Sequence, residues 1–312
     1  MFFKTNRIEM RKQVRCDYYM VNVKNFDCII VDAYGVFNFG QGISKAVIDT
    51  FKSWIEQGKK VFILSNTTAT NEGTVRSYEK KGVVKGVHYT DLLTSGQFAF
   101  EDIQAGNLPL AGKKFYVFGT ANFKKTDPVP AIFADSPYEA VADVERADFI
   151  YCGIPQLKDE QGCPYDSTNV KDFLPQVKTL VKTGLPLVCA NPDLTANEGG
   201  RFVVRQGTIA KLWQELDGKV VMYGKPDPHI FDALVARYCA DTLKDRILMV
   251  GDTLRTDIKG AQAAGIKGAL VIEGGVTEYE MQRDNLSLSE YIVKEGVTPN
   301  YIYDRVTDEP LF

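Results

Sequence analysis

Five residues with reactive or charged side chains follow apolar runs in the sequence: Asp32, Ser65, Lys225, and the pair Asp252 and Asp257. Such unbroken runs are typical of strands that are buried on both faces of a parallel sheet. Open α/β sheets bind ligands at the carboxyl ends of their strands. We therefore expect these five side chains to meet at one edge of a sheet.

The residue types at this edge indicate phosphate chemistry with a metal ion. Two carboxylates ~4 Å apart repel each other by about 4 kcal/mol at an effective dielectric constant near 20. A divalent cation relieves this repulsion, and Mg²⁺ suits one or two carboxylates together with a phosphate. The Ser65 hydroxyl and nearby backbone N–H groups can hold phosphate oxygens. Asp32, ionised beside the cation and Lys225, is the candidate nucleophile.

Each of these residues also has a structural explanation. Ser65 alone is typical of a turn, Lys225 of a solvated surface, and Asp252 and Asp257 of a turn and a helix cap. The joint occurrence of all five, each after a predicted buried strand, favours the functional interpretation.

The chain opens with a strand at Cys28–Val31, a glycine-containing loop, a helix that begins after Ser44, and a second strand at Lys60–Leu64. This order implies a right-handed crossover between parallel strands. The pattern predicts further helices over 70–81, 92–103 and 170–181, the last with Pro175 as a flaw, and a surface loop over 155–168. Further strands are predicted at Lys114–Phe118, Phe149–Ile154, Leu185–Ala190, Val220–Tyr223, Arg246–Val250, Gly268–Ile272 and, at the sheet edge, Tyr301–Tyr303.

The predicted fold class is α/β, a Rossmann-like parallel-sheet core with a smaller inserted α/β cap domain. The core comprises residues 1–93 and 205–312, with the strands before Lys225 and Asp252 in its main sheet, and the cap comprises residues 94–204. The first two dozen residues are predicted to be a surface extension.

Composition excludes several classes of protein. The 312 residues are 45% hydrophobic and 25% charged, with a net charge of -3. We therefore expect a soluble globular protein that binds neither nucleic acid nor an anionic membrane surface. No apolar run approaches the ~20 residues that span a bilayer.

The six cysteines include no C-x-x-C pair, which indicates buried thiols in a reducing compartment and predicts a cytoplasmic location. Only two histidines are present, His88 and His229. Zinc sites built on histidine and Ser-His or Cys-His catalysis therefore have little support.

The motifs resemble those of the haloacid dehalogenase superfamily of aspartate-nucleophile phosphatases. The matching strings are D-A-Y-G-V (32–36), L-S-N-T-T (64–68), G-K-P-D-P (224–228) and G-D-T-L-R-T-D (251–257). Only 33 positions separate Asp32 from Ser65, so the large insert falls after Ser65. That arrangement resembles the subfamily of NagD-type nucleotide phosphatases, p-nitrophenyl phosphatases and pyridoxal phosphate phosphatases.

The resemblance implies a role for each matching residue. Asp32 would be the nucleophile, Ser65 a phosphate ligand and Lys225 a group that steadies both. Asp252 would bind Mg²⁺, with Asp257 close behind.

Further substrate contacts follow from the same resemblance. Gly35 and Asn66 would lie at the phosphate. The string A-N-P-D-L-T (190–195) looks like the substrate-facing cap loop, so Asn191 and Asp193 would face the substrate. The alternative is an Asn-Pro-Asp turn that serves only the backbone.

Tyr34 departs from the family pattern, since phosphatases of the family usually have aspartate there as general acid and base. The family's metal takes the backbone carbonyl at this position, so the Tyr34 carbonyl is still expected to bind Mg²⁺. What is lost is acid–base help, typically worth ~10²–10⁴ in rate.

We therefore expect a Mg²⁺-dependent phosphate-monoester hydrolase that acts through an aspartyl-phosphate on a small phosphorylated metabolite. One alternative is a phosphate-ligand binding or regulatory relative that lost turnover through Tyr34. A distant alternative is a dehalogenase, whose family members carry the cap between the first two motifs and lack the metal-binding pair. Homo-oligomerisation is left open.

Overall fold

A computed structural model describes residues 23–40, 42–121, 129–198 and 200–306. Residues 1–22, most of the predicted N-terminal extension, lie outside this part of the chain.

The described strands are, in chain order, β1 Cys28–Val31, β2 Lys60–Ser65, β3 Asp91–Thr94, β4 Lys114–Phe118, β5 Glu139–Val141, β6 Phe149–Cys152, β7 Gln156–Lys158, β8 Pro164–Asp166, β9 Leu187–Cys189, β10 Thr195–Glu198, β11 Arg201–Val204, β12 Val220–Met222, β13 Ile247–Gly251, β14 Lys267–Val271 and β15 Tyr301–Tyr303.

The described α-helices are α1 Lys45–Glu56, α2 Asn71–Glu79, α3 Ser95–Gln104, α4 Leu174–Val181, α5 Gln206–Glu215, α6 Pro228–Tyr238, α7 Lys259–Ala263, α8 Val276–Asp284 and α9 Leu288–Glu295. A π-helical turn, Leu254–Ile258, precedes α7. No helix among the described residues is long and apolar enough to cross a membrane.

The main sheet has the strand order β15-β14-β13-β1-β2-β3, and the pairings from β15 to β2 are parallel. All four residues of β1 are buried, as expected for a central strand covered on both faces. Val31 is paired with Val250 of β13 on one side and with Ile63 of β2 on the other. The carboxyl ends of β1 and β13 are therefore neighbours.

A second sheet has the order β12-β9-β6-β4-β5, again with parallel pairings. Two buried clusters lie against it. One includes Trp213 of α5 and Val177 of α4, and the other includes Phe133 and Phe149. Two antiparallel hairpins, β7–β8 and β10–β11, complete this part of the chain. The two parallel sheets confirm the predicted α/β class.

The chain divides into two compact units. The first contains the described parts of Met1–Leu64, Glu79–Leu92 and Pro226–Phe312. The second contains those of Ser65–Tyr78 and Leu93–Lys225. The cap boundaries at 94 and 204 stay a prediction.

Four details of the predicted elements were wrong. Val220–Met222 pairs with β9 in the second sheet, not with the main sheet, because an apolar run does not specify its partner strand. Residues 155–168 contain the β7–β8 hairpin rather than only a loop. The predicted helix near 92 is preceded by β3, whose last residue, Thr94, caps α3 by accepting the Gln97 N–H. Pro175 lies in the first turn of α4, where proline is favourable.

Candidate active site

The first compact unit contains a buried cluster of three carboxylates. Asp32 follows β1, Asp252 follows β13, and Asp257 lies on the π-turn. One carboxylate oxygen from each residue lies within 4.8 Å of the others. Parallel pairing of β1 with β13 explains why acids more than two hundred positions apart in sequence converge here. The predicted meeting of these three residues is thus observed.

Asp252 is held in place by hydrogen bonds to both carboxylate oxygens. Oδ1 accepts the Thr253 hydroxyl at 2.9 Å, and Oδ2 accepts the Val276 N–H at 2.6 Å. The Asp252 carbonyl accepts the Thr277 hydroxyl at 2.6 Å. Val276 is the first residue of α8, so this carboxylate also lies at a helix N-terminus, where negative charge is favoured.

The cluster makes ionisation of Asp252 costly. Burial raises the pKa of Asp252 well above its ordinary value, and the charges of Asp257 and Asp32 add to the shift. Its hydrogen bonds to Val276 and Thr253 act in the opposite direction. A cation at this point would offset burial and the repulsion from Asp257 and Asp32, and so favour the ionised carboxylate.

Two glycines allow the acids to approach the backbone this closely. A Cβ atom at Gly35, whose φ is +80°, would lie 2.1 Å from Asp252 Oδ2. A Cβ atom at Gly251 would lie 2.2 Å from Asp257 Cγ. Gly35 was predicted to lie at the phosphate. Its packing against Asp252 is a sufficient reason for glycine, and the phosphate contact stays a prediction.

The donor set fits a hard divalent cation. It consists of carboxylate oxygens, which Mg²⁺ prefers over nitrogen or sulfur ligands. Three buried acids with carboxylate oxygens within 4.8 Å of one another favour a bound positive ion. Asp32, Asp252 and Asp257 are the residues that would hold the ion.

Tyr34 lies in a tight loop directly after Asp32. The Phe37 and Asn38 N–H groups both donate to the Ala33 carbonyl, and the Gly35 N–H donates to the Asn38 carbonyl at 3.0 Å. The tyrosine is 37% exposed, unlike the buried acids beside it. Metal binding by its carbonyl and its effect on acid–base chemistry stay predictions.

Arg255, which the motif analysis did not single out, anchors the π-turn. Its guanidinium donates to both oxygens of Glu280, at 2.6 and 2.7 Å, and to the Tyr291 hydroxyl at 3.1 Å. Burial raises the pKa of Glu280, but the hydrogen bonds from Arg255 and Tyr291 together with the charges of Arg255 and Arg283 outweigh burial, and the pKa lies below its ordinary value. Arg255 thus ties the acid-bearing turn to α8, the helix that also binds Asp252. The sequence signal that could have identified Arg255 is its position within the motif G-D-T-L-R-T-D.

In the second unit Asn66 joins two of the predicted motifs. Its Oδ1 accepts the Lys225 N–H at 2.8 Å, and its Nδ2 donates to Asp193 Oδ1 at 2.8 Å. Ser65, Asn66 and Lys225 are each at most 2% exposed. The Ser65 hydroxyl accepts the Thr67 N–H at 3.3 Å. These contacts favour a positioning role for the Asn66 amide, and its substrate contact stays a prediction.

The 190–195 loop is organised by its own side chains. Asn191 Oδ1 accepts the Asp193 N–H at 2.9 Å, which is an Asx-turn. The Asp193 carbonyl accepts the Gly207 N–H at 3.0 Å, at the start of α5. The Asn191 side-chain oxygen therefore binds the backbone, as the alternative of a purely structural Asn-Pro-Asp turn requires. A substrate-facing role for both residues stays a prediction.

Comparisons with known proteins agree with the motifs. The haloacid dehalogenase-like hydrolase family model matches residues 29–126, and a HAD-hydrolase-like model matches residues 222–308. Glycerol-3-phosphate phosphatase of Gallus gallus is 29% identical over 112 residues, 36% of this chain and 35% of that protein. Ribonucleotide monophosphatase NagD of Escherichia coli (strain K12) is 30% identical over 104 residues, 33% of this chain and 40% of NagD.

A solved structure from Cytophaga hutchinsonii, described as a possible sugar phosphatase of the HAD superfamily, shares the fold. Its TM-score is 0.70 at 22% identity, covering 95% of this chain and 100% of that chain. The matches to the two curated relatives span less than half of their lengths.

The two family matches together cover more than half of the sequence, and they include all three acids of the buried cluster. Fold and family matches therefore lead to the same assignment: the chain belongs to the haloacid dehalogenase-like hydrolases, with NagD among its relatives.

Proposed function

We propose that this protein hydrolyses phosphate monoesters with the help of Mg²⁺. The observation that supports this most is the buried cluster of Asp32, Asp252 and Asp257, with one oxygen of each within 4.8 Å of the others. Two curated relatives are named as phosphatases, of glycerol-3-phosphate and of ribonucleotides.

Asp32 is the proposed nucleophile. One of its carboxylate oxygens attacks phosphorus, the bond from phosphorus to the leaving-group oxygen breaks, and the phosphoryl group is carried on Asp32. The leaving group takes up a proton and departs as the alcohol. Water then attacks the phosphorus of this aspartyl-phosphate, the bond between phosphorus and the Asp32 oxygen breaks, and inorganic phosphate leaves while the Asp32 carboxylate is regenerated. Two easier steps replace one difficult step.

Asp32, Asp252 and Asp257 are the residues proposed to hold Mg²⁺, with the Tyr34 carbonyl as a further ligand. When bound, the ion would supply positive charge against the acids and the phosphate oxygens. The Thr253 and Val276 contacts keep the Asp252 carboxylate in one orientation before any ligand arrives.

Ser65 and Lys225 are the proposed phosphate ligands. A hydroxyl can donate to a phosphate oxygen, and an ammonium provides a compact positive charge. Support comes from their burial and from the order of motifs along the chain. Asn66, which binds the Lys225 backbone, is proposed to keep the lysine in place.

The proposed substrate is a small phosphorylated metabolite chosen by the cap. The names of the relatives support small phosphate esters, from glycerol-3-phosphate to ribonucleotides. A cytoplasmic location is part of the same proposal. It is supported by the free thiols Cys28, Cys152, Cys163, Cys189 and Cys239.

Tyr34 supports a second candidate function. A tyrosine at the family's acid–base position cannot serve as an efficient general base at neutral pH. A protein that keeps the cation cluster without efficient turnover would act as a phosphate-ligand binding or regulatory protein.

Release of p-nitrophenol from p-nitrophenyl phosphate, with and without Mg²⁺, tests the proposal. Wild type and the exposed control Asp245→Asn should both show Mg²⁺-dependent turnover. Asp32→Asn should lose it by a factor on the order of 10³ or more. Equal turnover by Asp32→Asn would refute the nucleophile. An inactive wild type that still binds inorganic phosphate in the presence of Mg²⁺ would support the binding protein instead.

A further inference from the structure

Two thiols face each other in the first compact unit, away from the chemistry proposed above. Cys28 and Cys239 are 211 positions apart in sequence, yet their Sγ atoms are 2.7 Å apart. Both side chains are fully buried and both cysteines are free. A disulfide bond is about 2.05 Å long, so these sulfur atoms need to move less than about 1 Å toward each other to bond.

The backbones on both sides hold the thiols in this arrangement. Cys28 begins β1 and is paired with Ile247 of β13 and with Lys60 of β2. Cys239 is the C-cap residue of α6, and its N–H donates to the Val235 carbonyl at 2.8 Å. A turn follows, in which the Thr242 N–H donates to the Cys239 carbonyl at 2.9 Å. These backbone contacts hold the Cα atoms of both cysteines in place.

The other two buried thiols, Cys152 and Cys189, also interact with each other, but burial and Cys189 raise the pKa of Cys152 well above its ordinary value. Cys152 Sγ contacts the Gln206 carbonyl at 3.8 Å, and Cys189 Sγ donates to the Asn191 carbonyl at 3.2 Å. Cys28 has Cys239 as its near neighbour, with the Thr242 hydroxyl further off at 3.8 Å. Cys28 and Cys239 are therefore the thiols that combine a sulfur–sulfur contact of 2.7 Å with a lowered thiol pKa.

The two thiols are also electrostatically unequal. The hydrogen bond between the two thiols lowers the pKa of Cys28, while the same contact and burial raise the pKa of Cys239. Lys60, opposite Cys28 in β2, forms an exposed ion pair with Asp241 at 3.0 Å. The positive charge of Lys60 further favours the Cys28 thiolate. Cys28 is thus the better nucleophile of the pair.

We propose that Cys28 and Cys239 form an oxidation site that closes to a disulfide when the protein meets a hydroperoxide. The Cys28 thiolate attacks the distal peroxide oxygen, the O–O bond breaks, and the leaving oxygen takes a proton. Cys28 is then a sulfenic acid. Cys239 sulfur attacks Cys28 sulfur, the S–O bond breaks, and water leaves. Two thiols are oxidised and one hydroperoxide is reduced.

The disulfide would join the first strand of the main sheet to the end of α6. It closes a very long loop, because 211 positions separate the two cysteines. Closing such a loop restricts the unfolded chain, so the oxidised protein should unfold at a higher temperature than the reduced protein.

The experiment uses the full chain with Cys16→Ser and Cys163→Ser. Cys163 is exposed and Cys16 lies outside the described residues, so both are removed to prevent cross-links between molecules. The protein is treated with hydrogen peroxide, alkylated after unfolding and mapped by mass spectrometry. We expect a mass lower by two hydrogen atoms and one cross-linked peptide pair, Cys28 with Cys239, that dithiothreitol separates. The thermal unfolding midpoint should rise with the cross-link.

Variants identify the pair. Cys239→Ser should show no cross-link and no rise in the midpoint, with oxidation confined to a sulfenic or higher acid on Cys28. Cys152→Ser, the matched control from the other buried thiols, should cross-link like its parent. Recovery of Cys28 and Cys239 as separate alkylated peptides after peroxide would overturn the proposal. So would an unchanged cross-link in Cys239→Ser. The mapping of the parent protein decides the question even if a variant fails to fold.

Discussion

Asp252 has a partner for each carboxylate oxygen and still lies within ligand distance of two other acids. Its hydrogen bonds fix the direction of the carboxylate, while burial and its acidic neighbours raise its pKa. The Asp252 carboxylate is therefore oriented to bind a cation. This combination distinguishes it from an aspartate that only caps a helix.

Asp252→Ala should weaken Mg²⁺ binding by a factor on the order of 10 to 10², because one oriented anionic ligand is lost. Isothermal titration calorimetry on wild type and variant measures this. Asp245→Ala, at an exposed position, serves as the control and should bind like wild type. Equal affinity in wild type and Asp252→Ala would contradict the proposed metal site.

Tyr34→Asp should speed alkyl phosphates more than aryl phosphates. A tyrosine hydroxyl ordinarily titrates at ~10 and an aspartate at ~3.9, so tyrosine is a poor base at neutral pH. Aryl groups leave without much protonation, whereas alkyl groups need it. The measurement is the ratio of kcat/KM for an aryl and an alkyl phosphate in both proteins. An unchanged ratio would mean that residue 34 does not serve acid–base chemistry.

The π-turn and α8 form one structural element of the site. α8 supplies the Val276 N–H to Asp252, and it supplies Glu280 to Arg255 on the turn. The Tyr291 hydroxyl of α9 also binds Glu280, so three segments share one buried polar network. Loss of Arg255 would loosen the turn that carries Asp257.

Arg255→Met should destabilise the protein by about 3 kcal/mol, because Glu280 would stay buried without its cation. The double variant Arg255→Met/Glu280→Met should lose less, since Glu280 is then not left buried without its cation, although Glu295 still loses its 3.3 Å contact with Arg255. Urea unfolding measures the free energies. Arg246→Met, which breaks an exposed pair with Asp27, is the control and should cost much less than Arg255→Met. If Arg255→Met lowers the free energy of unfolding no more than Arg246→Met does, Arg255 does not anchor the π-turn.

Glu280 should also make stability depend on pH. Its folded-state pKa lies below its ordinary value of 4.5. The unfolded chain therefore binds the proton more readily, so this contribution is complete above about pH 4.5 and is lost as pH falls through the folded-state pKa. Unfolding of wild type and Glu280→Gln from pH 7 to pH 3 tests this. The difference between their free energies of unfolding should shrink on acidification, and a constant difference would contradict it.

In the molecule as a whole, the insert is proposed to choose the substrate. The double variant Asn191→Ala/Asp193→Ala should change the order of preference in a panel of phosphorylated metabolites. It should also lower stability somewhat, because Asp193 binds Asn66 and Asn191 shapes the turn. Ser136→Ala, elsewhere in the second unit, is a control for general loosening. An unaltered order of preference would place specificity outside this loop.

The elements with strong local signals were predictable from the sequence. β1 was placed at its observed bounds, because its four consecutive apolar residues are typical of a strand buried on both faces. β4 was also placed at its observed bounds, although Lys114 at its start is exposed. The chain order of strand, helix and strand set the parallel neighbours β1 and β2, and the acids after β1 and β13 met as expected. The local pattern of apolar residues was sufficient to predict a strand where that strand is buried on both faces.

Other features depended on contacts between distant residues. Val220–Met222 looked like another strand of the main sheet, but partner choice depends on the surrounding fold, and it joined β9. The Arg255 and Glu280 pair joins a turn to a helix 25 positions away. Cys28 and Cys239 carry no spacing signal, since only the pairing of β1 with its neighbours and the end of α6 bring them together. The types of residue and their order along the chain determined which reactive groups the protein has. Three-dimensional packing decided which of these groups lie close enough to act together.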